Sequence, residues 1–392
     1  MAMKSITEAK RLSGKVALVR IDTNVPMEGK HVVDTSRLLA VIPTIRYLQR
    51  KHCRVVLVGH LGRPTKFDAK FSLKPIAHTL SKLLREPVIV VPLQSGVAVI
   101  RGTAEKNVVL LENIRFEKGE NENSLELARK LAKVANVYVN DAFSVSHRTA
   151  ASLVAITRYV PSFAGLSLLA EVEALERVKK SGLRPVVVIV GGAKVADKLP
   201  VIARLLPRVS AVLVGGAVAN TFLLAKGLKI GASVVDTSVL KQARILMRKA
   251  GKKLVLPLDV VVEVAHGKKR EPALRQIRAL RPSERILDTG VRTTQLYATY
   301  VKKAKTILWS GPLGLVEQPH YRHSTEAMGR LVSARARGKA YVVVGGGDTV
   351  AFFHQAKLWV DHVCLAGGAM LDFLAGQPMA ALKALGYSSR ST

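Results

Sequence analysis

The first half of the chain places basic and polar side chains where apolar, valine-rich segments end. Segments 16–22, 54–60, 108–113 and 137–143 end in such groups or are followed by them. Ligands of open α/β sheets bind outside the carboxyl ends of the strands, so these side chains could converge on one crevice. Each arginine taken alone is better explained by a surface ion pair, but recurrence at successive strand ends favours a pocket for carboxylate or phosphate. The candidates are Arg20, Arg37, His60, Arg63, Arg115 and Arg148, with Asp22 and Asn24 beside them.

The second half carries four apolar segments that run into a pair or triplet of glycines, at 186–194, 211–219, 341–349 and 363–369. Glycine lets the backbone turn sharply and approach a ligand closely. One such turn is ordinary between a strand and a helix, whereas four on one sheet edge predict a polyphosphate site. The G-x-x-x-x-G-K-[ST] loop and the full G-x-G-x-x-G dinucleotide spacing are both absent from the sequence. Their absence weighs against the two commonest nucleotide-binding folds, but not against nucleotide binding.

The last glycine segment, VCLAGGAMLDFLAG at 363–376, is chemically ambiguous. Glycine amides at the start of a helix can cradle a phosphate. However, the neighbours Cys364, Leu365 and Met370 carry no hydroxyl group. In isolation the segment is better explained as a tight turn in a hydrophobic core.

The composition predicts two well-buried domains. The chain has 392 residues, 48% of them hydrophobic, and its longest apolar runs are the length of strands, far short of a membrane span. The N-terminus lacks an apolar signal core, and Cys53 and Cys364 are the only cysteines. These features predict a cytoplasmic protein without a disulfide framework, although they leave a single bridge open. The net charge of +33 attracts polyanions, but the basic residues are dispersed, so nucleic acid is predicted only as a charge-driven secondary partner.

Valine-rich strands alternate with amphipathic segments of helical length along nearly the whole chain, which predicts parallel α/β sheets. Between the two halves, 165–185 combines apolar residues at helical spacing with leading acids, closing lysines, Gly182 and Pro185. This pattern predicts a helix of about four turns that joins two domains. The predicted fold class is α/β, with parallel sheets.

Within this framework the chain resembles the phosphoglycerate kinase family along almost its entire length. Its first half carries VRIDTNVP, DTSRLLAVIPTIRYL, GHLGRP, LLENIRFEKGE and VNDAFSVSHRTAAS, and its second half carries GGAKVADK, WSGPLGLVE and GGGDT, in the family's order. The resemblance implies two doubly wound, Rossmann-like parallel-sheet domains, at 1–165 and 183–376, that are joined by a helix at 166–182 and face each other across a hinged cleft. It also implies that a C-terminal segment, 377–392, packs back on the first domain.

The resemblance further implies an activity and a role for each matching residue. The family transfers a phosphoryl group reversibly between ATP and 3-phosphoglycerate, giving ADP and 1,3-bisphosphoglycerate, in glycolysis and gluconeogenesis. The implied phosphoglycerate-binding residues are Arg20, Asp22, Asn24, Arg37, His60, Arg63, Arg115 and Arg148. The implied nucleotide-binding residues are Gly192, Ala193, Lys194, Lys198, Gly216, Glu317, Gly346, Gly347, Asp348 and Thr349, with Asp348 as the Mg²⁺ ligand. The implied catalytic residues are Arg37, Lys194, Gly367 and Gly368, in a cytoplasmic monomer without membrane attachment.

The implied mechanism is in-line transfer that needs no general base, because the acceptor is already an ionised carboxylate. Three departures from the family's pattern bear on it. Gly59 stands where the family has serine, Ser310 stands where it has asparagine, and 364–370 lacks three hydroxyls and one glycine of S-T-G-G-G-A-S. If the last loop needs a positive φ at Ala366, its cradle is distorted.

Two alternatives to an active phosphoglycerate kinase remain at this point. One is a related kinase with an altered acyl-phosphate substrate or weakened activity, and the other is a basic protein that uses the scaffold to bind RNA or another polyanion. The intact set Arg37, Lys194, Lys198 and Asp348 favours an enzyme, because a pure binding protein has no need of it.

Overall fold

The computed structural model of the chain describes residues 3–102, 107–180, 183–267 and 269–388. Two compact units are present, one formed by Met1–Glu173 together with Gln377–Thr392, the other by Ala174–Gly376. The boundary between them falls inside the helix expected at 166–182. The last two residues of that helix, and the last four of the segment expected at 377–392, lie outside the described residues.

Helices and strands alternate along both units. Among the described residues, none of the helices is both long enough and apolar enough to cross a bilayer. The helices are α1 (Ser36–Arg50), α2 (Lys74–Leu84), α3 (Gly96–Gly102), α4 (Leu125–Ala132), α5 (Leu166–Lys180), α6 (Val195–Leu205), α7 (Gly216–Ala225), α8 (Leu240–Ala250), α9 (Val291–Lys303), α10 (His323–Ala336), α11 (Gly347–Gln355), α12 (Gly367–Leu374) and α13 (Ala380–Ala384). The strands are β1 (Val16–Arg20), β2 (Met27–Glu28), β3 (His31–Val32), β4 (Arg54–Val58), β5 (Val88–Val91), β6 (Val108–Leu111), β7 (Val137–Asn140), β8 (Ser162–Ala164), β9 (Val186–Val190), β10 (Ala211–Val214), β11 (Leu254–Val255), β12 (Asp259–His266), β13 (Lys269–Gln276), β14 (Arg285–Thr289), β15 (Thr306–Ser310), β16 (Tyr341–Gly345) and β17 (His362–Cys364).

The first unit is built on a six-stranded parallel sheet with the order β5-β6-β4-β1-β7-β8. Its central strand β1 is buried, because helices cover both faces of a doubly wound sheet and apolar residues fill both. The chain moves outward from β1 in opposite directions, to β4 on one side and to β7 on the other. Such a reversal opens a crevice at the carboxyl ends of the strands. In this unit Ala381 also donates its backbone N–H to Ser146 O at 3.0 Å.

The second unit is built on another six-stranded parallel sheet, with the order β11-β10-β9-β15-β16-β17. The strand order reverses between β9 and β15, so the crevice of this sheet lies at their carboxyl ends. The four glycine segments follow β9, β10, β16 and β17, and all of them therefore lie at one sheet edge. The predicted fold class, α/β with two doubly wound parallel sheets, is confirmed.

Two features of the second unit were not predicted from the sequence. The first is β15, a fully buried strand that occupies the centre of the sheet between β9 and β16. The second is a three-stranded antiparallel sheet with the order β13-β12-β14. Its edge strand β13 reads KREPALRQ and is mostly exposed, so its residues show little of the apolar pattern by which strands are recognised.

Candidate active site

A chain of buried polar contacts holds Arg20 at the carboxyl end of β1. The Arg20 residue is only 2% exposed; its Nε donates to Ser152 Oγ at 3.1 Å, and its Nη2 lies 2.9 Å from His60 Nδ1. Ser152 donates from Oγ to Glu120 Oε1 at 2.6 Å and from its backbone N–H to Glu120 Oε2 at 3.0 Å. The buried Glu120 carboxylate therefore orients the Arg20 guanidinium through the Ser152 hydroxyl.

Three more arginines, Arg63, Arg115 and Arg148, join Arg20 and His60 in lining a cavity of about 400 Å³. Burial and then the neighbouring guanidiniums lower the pKa of Arg115 to about 10 and hold the pKa of Arg148 below its ordinary value. The same two causes lower the pKa of His60 well below its usual range, so its ring is neutral at pH 7. Because Arg20 can only donate, the His60 proton lies on Nε2. A cavity with this concentration of positive charge favours an anionic ligand.

The Asp22 carboxylate organises the neighbouring part of the same edge. Its Oδ2 lies 3.0 Å from Arg37 Nη1 and accepts from Ser144 Oγ, while its Oδ1 accepts from the Asn24 N–H at 3.1 Å. Arg37 Nη1 also donates to Asn24 O at 2.9 Å, and Asn24 Oδ1 accepts from the Gly62 N–H at 2.9 Å. The eight side chains selected in the first half of the sequence therefore lie together at one edge of the first sheet.

Gly59, where a serine was expected from the resemblance, is required by local packing. A Cβ at this position would lie 2.3 Å from Thr23 Oγ1. Thr23 is fully buried and donates from Oγ1 to His60 O at 2.8 Å. The Thr23 hydroxyl thus fills the space beside Gly59 and fixes the backbone that carries His60.

In the second unit, the loops that follow β9 and β15 touch backbone to backbone. Gly191 donates its N–H to Ser310 O at 3.1 Å, and Gly192 donates its N–H to Pro312 O at 2.9 Å. A Cβ at Gly191 would lie 1.9 Å from Pro312 O, and a Cβ at Gly311 would lie 2.1 Å from Gly191 O. Gly311 also has φ +92°, a conformation that favours glycine. The glycines therefore allow the two loops on either side of the reversal point to meet.

The loops after β10 and β16 are tied to the same place. Gly216 donates its N–H to Leu313 O at 2.9 Å, which joins the loop after β10 to the loop after β15. Thr349 is fully buried and accepts from the Gly311 N–H at 2.7 Å, which joins the start of α11 to that loop. The Thr349 hydroxyl therefore acts as an anchor of the loop, a role that the sequence did not indicate.

Two lysines lie at the start of α6. Lys194 is the N-cap residue and is exposed. Lys198 lies one turn later and is half-buried; its Nζ donates to Gly191 O and to Ser310 O, the latter at 3.2 Å. Burial, and to a smaller extent the charge of Lys194, lowers the pKa of Lys198 to about 8. An ammonium that is desolvated in this way gains stability from a bound anion.

The two carboxylates expected at the nucleotide, Glu317 and Asp348, are both exposed. Asp348 lies in the first turn of α11, directly after Gly346 with φ +97° and the exposed Gly347. No group of three or more His, Cys, Asp and Glu side chains that could hold a metal occurs in the described residues. The single exposed carboxylate of Asp348 fits Mg²⁺, which proteins typically hold through one or two carboxylates together with substrate phosphates. Ala193, also selected from the sequence, is exposed next to Lys194.

The last glycine segment forms an unstrained turn. Ala366 caps α12 with φ −121°, and neither Gly367 nor Gly368 has a positive φ. The distortion expected from an alanine at position 366 is therefore absent. A Cβ at Gly367 would lie 2.6 Å from Gly346 Cα, so this glycine is what lets the loops after β16 and β17 touch.

The apolar neighbours of that turn fill the core of the second unit. Cys364 and Met370 are fully buried, and a Cβ at Gly345 would lie 2.7 Å from Met370 Sδ. Leu365 packs against the same core. Gly368, by contrast, is exposed at the start of α12. The turn therefore combines the two features that its sequence suggested. Its apolar side chains pack into the core, and Gly368 is exposed at the start of α12.

Several supporting residues were not selected from the sequence. Glu120 and Ser152 lie in the segments LLENIRFEKGE and VNDAFSVSHRTAAS, but their pairing spans 32 positions and leaves no local signal. In the second unit the buried Asp288 accepts from Ser324 Oγ and from the Ser324 N–H at 3.1 Å, and burial raises its pKa to about 6. A Cβ at Gly314 would lie 2.3 Å from Asp288 Oδ1, so this carboxylate braces the loop after β15.

Comparisons with known proteins identify the family to which the chain belongs. The family model described as phosphoglycerate kinase matches residues 6–377. The chain is 40% identical to the phosphoglycerate kinase of Thermomicrobium roseum, over 92% of this chain and 94% of the relative, and 39% identical to that of Coxiella burnetii, over 95% and 96%. Among solved structures, it resembles phosphoglycerate kinase from Coxiella burnetii with a TM-score of 0.83, at 37% identity over 98% of this chain and 99% of that one. The corresponding values for the enzyme from Pyrococcus horikoshii are 0.87, 30%, 98% and 98%.

Proposed function

The chain belongs to the phosphoglycerate kinase family, and from this premise we propose which of its residues bind each substrate and how they act. The protein is a kinase of glycolysis that transfers a phosphoryl group reversibly between ATP and 3-phosphoglycerate, giving ADP and 1,3-bisphosphoglycerate. The observation that supports the residue assignment best is the arginine-lined cavity of the first unit, since an anion with two charged groups needs such a set of cations.

We propose that this cavity binds the phosphate that 3-phosphoglycerate keeps during the reaction. Arg63, Arg115 and Arg148 supply charge there, while Arg20 and the neutral His60 donate hydrogen bonds from fixed positions. Asp22 and Asn24 orient the substrate hydroxyl, and Arg37 lies beside them as the cation nearest to the reacting carboxylate. In support of this division, Arg37 is held by Asp22 and Asn24 rather than inside the cavity.

We propose that the glycine loops of the second unit hold the nucleotide. Gly192, Gly216, Gly346 and their neighbouring amides approach the phosphates, Lys194 and Lys198 neutralise phosphate charge, and Glu317 accepts hydrogen bonds from the ribose. Asp348 would hold Mg²⁺ together with the nucleotide oxygens, and the ion would contribute neutralisation of phosphate charge when bound.

In the proposed mechanism the protein positions charges and excludes water. The carboxylate of 3-phosphoglycerate attacks the terminal phosphorus of ATP in line, the bond from that phosphorus to the bridging oxygen breaks, and ADP leaves with the electron pair. No proton needs to be removed from the carboxylate, so no general base is required. Arg37, Lys194 and the amides of Gly367 and Gly368 stabilise charge on the equatorial oxygens. We propose that hinge closure, which is typical of the family, excludes water and so protects the acyl phosphate from hydrolysis.

A coupled assay with ATP, Mg²⁺ and 3-phosphoglycerate tests the activity. We expect turnover that saturates in both substrates. Absence of turnover in the pure, folded protein, together with salt-sensitive binding of RNA, would instead favour a binding protein on this scaffold.

The pKa of Lys198 predicts how ATP affinity depends on pH. Because this pKa is lowered to about 8, Lys198 carries its charge below that pH and loses it above, and bound phosphates favour the charged form. We expect the Kd of ATP at constant Mg²⁺ to rise about three- to tenfold between roughly pH 7 and 9.5, measured by titration calorimetry. Lys198→Arg keeps its charge over this range and should flatten the dependence. An unchanged slope in that variant would assign the titration to another group.

Restoring the hydroxyls of the last glycine segment tests whether its amides suffice. We expect Cys364→Ser with Leu365→Thr to change kcat by less than about threefold and to lower stability, because hydroxyls replace core atoms. The matched control is Cys364→Ala with Leu365→Val, in which valine has nearly the shape of threonine and neither substitution adds a hydroxyl. A gain in kcat of tenfold or more in the first variant alone would mean that the native turn is impaired.

We propose that the enzyme acts as a monomer in the cytoplasm. In support, the candidate residues for both substrates come from a single chain. Cys53 and Cys364 are buried free thiols, as is usual in a reducing compartment. Size-exclusion chromatography with light scattering tests the oligomeric state, and a stable dimer at working concentration would overturn the monomer.

A further inference from the structure

A second basic cavity lies in the second unit, away from the glycine loops. Its volume is about 710 Å³, and Arg177, Lys305, Arg337, Lys339, Tyr341 and Trp359 lie along its wall; we call these six residues the basal pocket. Lys305 and Tyr341 stand where β15 and β16 begin, whereas the glycine loops follow the other ends of the sheet. Strands of five residues separate the two places by roughly 15 Å. The basal pocket is therefore a site of its own.

The four cations of the basal pocket outnumber the one carboxylate that lines it, Asp361. Arg177, Lys305, Arg337 and Lys339 form no ion pair with any residue that the structure describes. Two exposed cations on other helices do pair with carboxylates, Lys130 with Glu126 and Arg330 with Glu326. Cations gathered around one cavity repel each other, and an anion with several oxygens relieves that repulsion.

One carboxylate, Asp361, also faces the basal pocket. Its Oδ2 accepts from the Val342 N–H at 2.9 Å, which fixes it at the start of β16. A single fixed acid among four cations leaves a strong positive field and adds one hydrogen-bond acceptor. Such an acceptor suits an amino group on the ligand, in addition to its anionic part.

The basal pocket also offers flat aromatic and guanidinium surfaces. Trp359 is 51% exposed, although it is one of only two tryptophans in the chain. The Arg177 guanidinium lies over the ring of the buried Tyr341, 4.3 Å from the ring centroid. The tyrosine therefore supports a guanidinium plane at the surface. Indole rings and guanidinium planes are the groups on which nucleobases stack.

The elements that carry these side chains are fixed to the fold. The turn between α10 and β16, which carries Arg337 and Lys339, is closed at Gly338 with φ +81°. Arg335 Nη2 donates to Ala304 O at 2.7 Å and to Lys339 O at 3.3 Å, which ties that turn to the start of β15. The backbone N–H of Trp359 donates to Ser333 Oγ at 3.0 Å, which fixes the backbone that carries the indole ring. The cavity is therefore largely formed before a ligand arrives, as small-molecule sites usually are.

We propose that the basal pocket binds a nucleoside phosphate, with the base on Trp359 and the phosphate on Lys305, Arg337 and Lys339. The same chemistry is offered by a free nucleotide and by one unit of single-stranded RNA. The net charge of +33 favours either of these polyanionic sources over a neutral aromatic ligand. This site is independent of the phosphoryl transfer reaction and of the residues proposed for it.

The test measures binding of two probes, AMP by titration calorimetry and a labelled oligoadenylate by fluorescence anisotropy, at one fixed low salt concentration. Arg337→Glu with Lys339→Glu should weaken whichever probe binds by at least about tenfold. Trp359→Ala keeps the charge and should weaken binding by about tenfold through lost stacking. The matched control, Lys302→Glu with Lys303→Glu, makes the same charge change on exposed residues of α9 outside the pocket and should cost less than about threefold.

The turnover of each variant shows whether it is folded, and kcat should stay within about twofold because none of these residues belongs to the proposed catalytic set. Binding of AMP and oligoadenylate with the expected losses identifies a free-nucleotide site, and binding of oligoadenylate alone with those losses identifies a strand site. Equal losses in the pocket and control variants would show diffuse charge attraction and overturn the proposal. No binding of either probe, or no effect of Trp359→Ala, would overturn it as well.

Discussion

Lys194→Ala is expected to lower kcat on the order of 10²-fold or more while changing the KM for ATP much less. Lys194 is the exposed N-cap residue of α6, next to the loop in which Gly191 and Gly192 meet the loop after β15. In its proposed role, Lys194 neutralises charge that the transferring phosphoryl develops only in the transition state. Its removal therefore affects the chemical step more than ground-state binding.

The measurement is steady-state kinetics in the coupled assay, with both substrates varied. Lys241→Ala is the matched control, because it removes an exposed lysine of α8 in the same unit and should leave kcat within about twofold. Near-normal kcat in Lys194→Ala would remove Lys194 from its proposed role. A large rise in the KM for ATP with unchanged kcat would make it a binding residue only.

Gly191→Ala is expected to destabilise the second unit by about 3 kcal/mol or more. The added Cβ would lie 1.9 Å from Pro312 O and 2.9 Å from Gly311 O. Both of these atoms belong to backbone, so no side-chain rotation can relieve the overlap, and the carboxyl ends of β9 and β15 must separate. The same movement would shift the carbonyl oxygens of Gly191 and Ser310, which hold Lys198, and ATP affinity should fall together with stability.

Tryptophan fluorescence during urea unfolding measures the stability of the second unit, because both tryptophans of the chain, Trp309 and Trp359, belong to that unit. Gly347→Ala is the matched control: it lies in a neighbouring glycine loop, its added Cβ would meet no atom within 4 Å, and its φ is not positive. We expect the control to change the free energy of unfolding by less than about 1 kcal/mol. If both variants have the same unfolding midpoint, the close approach of the two loops contributes little to stability.

The sequence predicted the fold class and the two groups of candidate residues because both depend on short-range patterns. Apolar strands of four or five residues recur with helical segments between them, and this alternation is typical of parallel sheets. Parallel strands bring their carboxyl ends to one edge of the sheet. Residues that follow the strand ends at Arg20, Val58 and Asn140 are therefore expected to lie close together. The glycine pairs likewise predicted tight turns after the strands, because the residues that allow such turns are visible in the sequence itself.

The features that the sequence did not predict depend on contacts between residues far apart in the chain. The pairing of Glu120 with Ser152, which orients Arg20, and the contact of Gly191 with Pro312 follow from strand order and register, and a local pattern contains neither. The packing of Thr23 beside Gly59 also depends on a distant contact. Gly59 departs from the family's motif, and only the position of Thr23 shows that a glycine fits there. The unstrained φ of Ala366 likewise depends on how α12 leaves β17.

By itself, the sequence determined the fold class, the edge of each sheet at which the candidate residues lie, and the family to which the chain belongs. The tertiary structure decided which of the many arginines and lysines share a cavity, which polar groups hold them, and that a second basic pocket exists at the opposite end of the second sheet. The physical reason is the range of the interactions. Strand and helix formation respond to neighbours a few residues away, whereas a pocket is made by side chains that only the sheet order brings together.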